Sequence, residues 1–156
     1  MINTKRLLII SHAPSKNTRR MLEAVVSGAT NDEITEVDVR SISPLDTNPE
    51  DIKTSQAVII GTTENLGYMA GLIKDVFDRC YYPCLETTEG LPFTFYVRAG
   101  NDGTGTRRAI ESIATGLSWR LVQEPLICRG EFTEDFVTQC EDLGMTMAAS
   151  LEAGII

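Results

Sequence analysis

A single histidine, His12, occurs in the whole chain of 156 residues. That scarcity argues against a zinc centre, and the four cysteines do not supply one. Cys80 and Cys84 stand as C-x-x-x-C, which is neither a redox C-x-x-C nor half of a zinc ribbon, while Cys128 and Cys140 are isolated. No apolar run reaches the ~18–20 residues of a membrane-spanning helix, and no signal segment with a cleavage site opens the chain. The expectation is a cytoplasmic protein with reduced thiols and no membrane partner. Basic residues number 14 against 22 acids, a net charge of −8, which argues against nucleic-acid binding because that needs a basic footprint. With 42% hydrophobic and 23% charged residues, disorder, collagen and coiled coil are excluded. The length predicts one domain over residues 1–156 with a sizeable core.

Acids are also missing locally. Residues 1–22 contain none, but carry Lys5, Arg6, Lys16, Arg19 and Arg20, so the acidic charge lies entirely in the remainder, at −13. Positive charge is tolerated or required near the start of the chain.

Apolar runs of strand length alternate with helical periodicity throughout. Leu7–Ile10 reads as a strand covered on both faces, followed by a helix with Leu22, Val25, Val26 and Ala29 inward and Gly28 as its stop. A second strand is expected over Ile34–Val39, then a short helix capped by Asn48 with Pro49 in first position. Ala57–Gly61 predicts the third strand, TTENLGYMAG a loop, and Leu72, Ile73, Val76, Phe77 and Cys80 a helix face. Phe93–Val97 is the fourth strand, AGNDGTGT its loop, and Ala109, Ile110, Ile113, Ala114 and Leu117 the next helix face. Leu121–Cys128 is the fifth, with Pro125 placing part of it on an edge, and a last helix starts at Thr133 with Phe136, Cys140, Leu143 and Met147 inward. Five βα units predict an α/β fold, a doubly wound five-stranded parallel sheet of order 2-1-3-4-5 with helices on both faces. Ligands of such sheets sit beyond the C-terminal strand ends, where three loops gather: SHAPSKNT, TTENLGYMAG and AGNDGTGT.

The first loop offers hydroxyls from Ser11, Ser15 and Thr18, the amide of Asn17, and a helix N-terminus suited to an anion. An ordinary capped helix uses the same residue types. Neither G-x-x-x-x-G-K-[ST] nor G-x-G-x-x-G is present in that loop, so a nucleoside triphosphatase is excluded and a dinucleotide across the first turn is disfavoured. Arg19 and Arg20, and later Arg107 and Arg108, occupy first helical turns, where cations are unfavourable by roughly 0.3–1 kcal/mol each. With Lys16 and Arg98 they put six of the 14 bases at the expected ligand edge. A bound phosphate explains that placement; long side chains reaching into water are the alternative. The glycines of AGNDGTGT let backbone groups approach a flat ring, so the cleft suits a planar monophosphate such as flavin mononucleotide (FMN).

The stretch AVIIGTTENLGYMAGLIKDVFDRCYYP, with Lys74, Asp78 and Arg79, together with SHAPSKNT and AGNDGTGT, resembles the flavodoxin-like flavoproteins. The nearest groups are the NAD(P)H-dependent FMN reductases and multimeric flavodoxins. The resemblance implies that Ser11, Ser15, Asn17 and Thr18 hold the FMN phosphate, with His12 shaping that loop. It implies that Thr63, Glu64, Asn65 and Gly67 line one ring edge and Gly100, Asn101 and Asp102 the other. The chain lacks both the T-x-T-G-x-T of short electron-carrier flavodoxins and a second-loop tryptophan, which favours a reductase. Trp119 is expected in the core or an interface, and Tyr81 and Tyr82 at the end of the third helix or against a neighbouring subunit's flavin.

The expected function is an FMN oxidoreductase taking hydride from NADH or NADPH and passing electrons to a quinone, flavin or other acceptor. No side-chain base is required, because the flavin carries the chemistry. The alternative is a non-catalytic electron carrier or flavin-binding module, whose acidic surface docks a redox partner protein. A homodimer or higher homo-oligomer is compatible with either. A phosphoacceptor receiver domain is excluded, because Ser11 and His12, then Thr62 and Thr63, stand where it needs acids.

Overall fold

The computed structural model describes residues 4–156. β1 (Lys5–Ser11), β2 (Val37–Ile42), β3 (Ala57–Asn65) and β5 (Pro92–Ala99) run parallel in the order β2-β1-β3-β5. β6 (Arg120–Leu121) and β7 (Leu126–Arg129) both pair with β5 on its outer side, as two pieces of one edge strand. In units of the sequence pattern this is the expected 2-1-3-4-5 order. Pro125 lies in the break between the pieces, where no ladder donor is needed. The second strand starts three residues later than expected and ends at Ile42.

Alternation along β1 explains the two cores. Leu8 and Ile10 join Val58, Ile60 and Phe95 on one face, under α2 (Pro49–Lys53), α3 (Gly71–Cys84) and α4 (Thr104–Gly116). Leu7 and Ile9 join Ile59 and Tyr96 on the other, under α1 (Lys16–Ala29) and α5 (Glu134–Glu152). α2 is capped by the Asn48 side chain with Pro49 first, as its sequence indicated. Trp119 is a core residue, packed beside Phe77 and Phe93, with its indole N–H donated to Thr88 Oγ1 at 2.8 Å. All four cysteines are free and buried, and burial pushes the Cys84 thiol up to about 11.

Gly28 is not the stop of α1. The helix continues through Ala29, and Gly28 lies where α1 crosses α5: a Cβ there would run into the Glu141 carbonyl. Gly144 of α5 meets the Val25 carbonyl in the same way, so the two backbones touch through a pair of missing side chains. The buried stripe of α1 is correspondingly Met21, Ala24, Val25, Gly28 and Ala29, with Leu22 and Val26 only partly covered.

A helical Gly→Ala change ordinarily gains about 1 kcal/mol. Here Gly28→Ala or Gly144→Ala should instead cost about 1–3 kcal/mol, as overpacking does. Urea unfolding decides the sign, and a stabilised variant would contradict the contact.

Candidate functional site at the C-terminal sheet edge

The β1–α1 loop delivers a helix N-terminus to the C-terminal end of β1, an inner strand of the sheet. Ser15 is its N-cap, with Oγ accepting from Thr18 N–H at 3.1 Å while Thr18 Oγ1 accepts from Ser15 N–H at 2.9 Å. These two hydroxyls, expected as anion ligands, are thus engaged in a reciprocal cap. Arg19 N–H is taken by the Ser15 carbonyl, which leaves the N–H groups of Lys16 and Asn17 pointing out of the first turn without a helical acceptor. That turn contains no acid, and the side chains of Lys16 and Asn17 are exposed. This is the donor set of an oxyanion site: two backbone N–H groups, an amide and local positive charge.

Ser11 does not belong to it. Its hydroxyl is buried and shares a 2.7 Å hydrogen bond with the Tyr96 hydroxyl of β5, on the α1/α5 face. Gly61 of β3 lies between them, since a Cβ there would strike both Tyr96 and Ser11 Oγ. Burial raises the Tyr96 phenol well above its usual range, so it stays protonated. His12 is half-buried, and burial lowers its imidazole below the usual 6.5.

The segment expected as a loop after the third strand is a β-hairpin. β3 extends to Asn65 and turns through Leu66 and Gly67, both at positive φ (53° and 75°), into β4 (Tyr68–Met69). Two consecutive positive-φ residues make a type I′ turn. The hairpin packs on the start of α4: Thr106 Oγ1 donates to the Tyr68 carbonyl at 3.0 Å, and Gly105 sits so close to the Gly67 carbonyl that no side chain fits. Glu64 completes this union. Its two carboxylate oxygens accept the N–H groups of Asn101 (2.7 Å) and Gly103 (2.8 Å), pinning the β5–α4 loop to the hairpin. Thr63 Oγ1 donates to the Asn65 side chain at 2.7 Å, and Asp102 accepts from Thr104 N–H at 3.0 Å, a bond that lowers its carboxyl pKa. The two groups of residues expected on opposite ring edges are therefore brought into direct contact, with Gly100, Asn101 and Asp102 exposed at the outer surface.

Three of the six bases expected to serve a ligand are committed to the protein. Arg20 makes a bidentate pair with Glu134 (2.8 and 2.6 Å) and lies over Phe132. Arg107 bridges Glu111 and Glu124, and Arg98 donates to the carbonyls of Ala99 and Cys128 while stacking on Phe136. Lys16, Arg19 and Arg108 have no carboxylate partner among the described residues. Two other contributors were not expected from sequence. Tyr96 is read there as one more apolar strand residue, and Arg129 reaches back to the Asp102 carbonyl at 2.6 Å. Among the described residues no cluster of His, Cys, Asp or Glu could hold a metal, and no helix is long and apolar enough to cross a membrane.

No family model and no curated protein matches the chain. Solved structures do. A flavodoxin from the domain Archaea superposes with a TM-score of 0.79 at 19% identity, covering 94% of this chain and 99% of its own. A flavodoxin, WrbA-like protein from Agrobacterium tumefaciens gives 0.66 at 16% identity, covering 94% and 96%. Rubredoxin oxygen:oxidoreductase from Desulfovibrio gigas gives 0.76 at 14% identity, with 98% of this chain matching 38% of that one. The protein therefore has the flavodoxin-like fold, as the resemblance implied.

Ser11→Ala should cost about 1–3 kcal/mol by leaving the Tyr96 hydroxyl buried and unpaired, whereas Ser11→Ala with Tyr96→Phe should recover most of that loss. Denaturant midpoints of the single and double variants test the pair. For the clamp, Glu64→Ala should speed amide hydrogen exchange at Asn101 and Gly103 at least about tenfold, the loss of roughly 1.4 kcal/mol of protection. Unchanged protection would mean that Glu64 does not hold the loop.

Proposed function

We propose that this protein is an FMN-dependent oxidoreductase that accepts hydride from NADH or NADPH and hands electrons to a small acceptor such as a quinone or a flavin. The observation that carries this reading is the acid-free first turn of α1, which presents the N–H groups of Lys16 and Asn17 at the C-terminal end of β1, an inner strand paired on both sides. A phosphate monoester fits such a donor set. Asn17 would add its amide and Lys16 its charge, and the reciprocal cap of Ser15 and Thr18 keeps the turn in shape. The backbone of Thr63–Gly67 and Gly100–Asp102 would hold the ring, with Glu64 fixing one segment against the other before the cofactor arrives. Preorganisation of that kind lowers the ordering cost of binding.

Bound flavin supplies the hydride-accepting chemistry, so the chain needs to bind, orient and shield rather than to transfer protons. Burial disfavours the charged form of His12, which fits a loop-shaping role better than that of a charged phosphate ligand. A second reading, a flavodoxin-type carrier docking a redox protein, is supported by the near-complete mutual coverage with the archaeal flavodoxin and by the acidic body.

Purified protein should show bound-flavin absorbance, or acquire it with quenched fluorescence when FMN is added at micromolar concentration. Asn17→Ala should weaken FMN more than riboflavin, which lacks the phosphate, by about fivefold or more. Equal loss for both ligands would remove the phosphate from α1. NADH or NADPH oxidation with a quinone then separates the readings: no turnover alongside rapid reduction by a partner reductase selects the carrier.

A further inference from the structure

A cavity of about 350 Å³ opens on the other side of the β1–α1 loop, toward β2. Its volume lies at the small-molecule end of ligand clefts, which run roughly 300–1,000 Å³. The walls are apolar and come from four elements: Leu22 of α1, Ile42 of β2, Pro44 and Leu45 of the turn after it, and Leu72 of α3. None of the hairpin or β5–α4 loop residues assigned above to a flavin ring contributes to it.

The outer wall is built rather than incidental. The turn Pro44–Asp46 is held from behind by Arg79 of α3, whose guanidinium donates to the carbonyls of Thr47 (2.6 Å) and Pro44 (2.9 Å). Asp75 fixes that guanidinium at 2.7 Å, and Ser43 closes the turn through Asp46 at 2.9 Å. Pro44 is buried as a result, while Leu45 remains exposed at the rim.

The lining carries charge of one sign. No carboxylate borders the cavity although the chain has 22 acids, and its formal cation is Arg19. Arg20 and Arg107, the neighbouring problem cases in first helical turns, are neutralised by Glu134 and by Glu111 with Glu124. Arg19 is not, and it faces the cavity. One cation suits one negative charge. A phosphate dianion would be stripped of water against five apolar side chains with too little compensation, whereas an apolar body would gain from them.

We propose that this cavity is a second ligand site, which takes a small organic acid with an aromatic or branched apolar body, its carboxylate at Arg19 and its body against Leu22, Ile42 and Leu72. The site does not depend on the flavin reading, although it borders the same β1–α1 loop and draws Arg19 from the same first turn of α1.

The test titrates 1-naphthoate, and the neutral 1-naphthalenemethanol, into the 15N-labelled full chain. Naphthoate should shift amide signals in residues 12–14, 19–22, 41–45 and 72, saturably, and bind about fivefold or more tighter than the alcohol. Arg19→Gln, at an exposed position, should erase that preference. Leu45→Asp, at the exposed rim, should weaken naphthoate more than the alcohol by bringing in a like charge. Neither excess FMN nor inorganic phosphate should displace the probe. Equal affinity for acid and alcohol, shifts elsewhere, indifference to Arg19→Gln, or displacement by FMN or phosphate would each overturn the assignment. A protein that fails to bind FMN but passes these tests would refute the flavin reading and leave this one standing.

Discussion

Leu7, Leu8, Ile9 and Ile10 alternate between the two faces of the sheet, and neither face reaches solvent. β1 pairs parallel with both neighbours, and a parallel sheet connected by helical crossovers has its two faces covered by helices, one group above and one below. The chain therefore leaves β1 toward one layer and β3 toward the other, and the loops after these strands part company at the same edge. The first turn of α1, the hairpin and the apolar cavity all hang from that divergence. α1 can lie close beneath the sheet's edge because Gly28 and Gly144 let it touch α5. The position of the helix N-terminus thus depends on a backbone contact a full helix length away.

Electrostatics at this edge are more selective than charge counts suggest. A pattern of arginines in first helical turns looks uniform in one dimension, yet the fold divides it. Distant acids claim some: Glu134 reaches Arg20 across 114 residues of sequence. Others are consumed by backbone carbonyls, as Arg98 is. What is left without a carboxylate partner among the described residues is Lys16 and Arg19 at the start of α1 and Arg108 at the start of α4. The unpaired residues carry the functional information.

Much of the architecture was legible because it rests on local rules. Strand runs such as Ala57–Ile60 and helix faces such as Ile73, Val76, Phe77 and Cys80 follow directly from period and burial. The Asn48–Pro49 start of α2 is a side-chain rule and was equally readable. The hairpin was not, because its turn places Leu66 at positive φ, where leucine is uncommon, and no Asn-Gly or Asp-Gly pair announces it. Gly28 was misread for a related reason: a glycine near a helix end resembles a stop unless the partner helix is known. Among the residues expected at the site, Ser15, Thr18 and Glu64 lie at the C-terminal sheet edge with hydrogen-bond partners inside the protein. Ser11 was assigned to a ligand because its pairing with Tyr96 spans 85 residues. Hydroxyl chemistry is visible in a sequence, whereas the direction a hydroxyl faces is decided by the sheet.

The broken fifth strand has its own consequence. An open parallel sheet ends in a row of unpaired donors and acceptors that can recruit another chain. Here the outermost ladder offers two residues, then an interruption containing Pro125, then four more. Such an edge is too short and too discontinuous to template a continuous intermolecular strand. An acidic surface adds repulsion between copies. The interruption blunts this edge of the sheet, whereas the β2 edge at the other end is a continuous strand over Val37–Ile42.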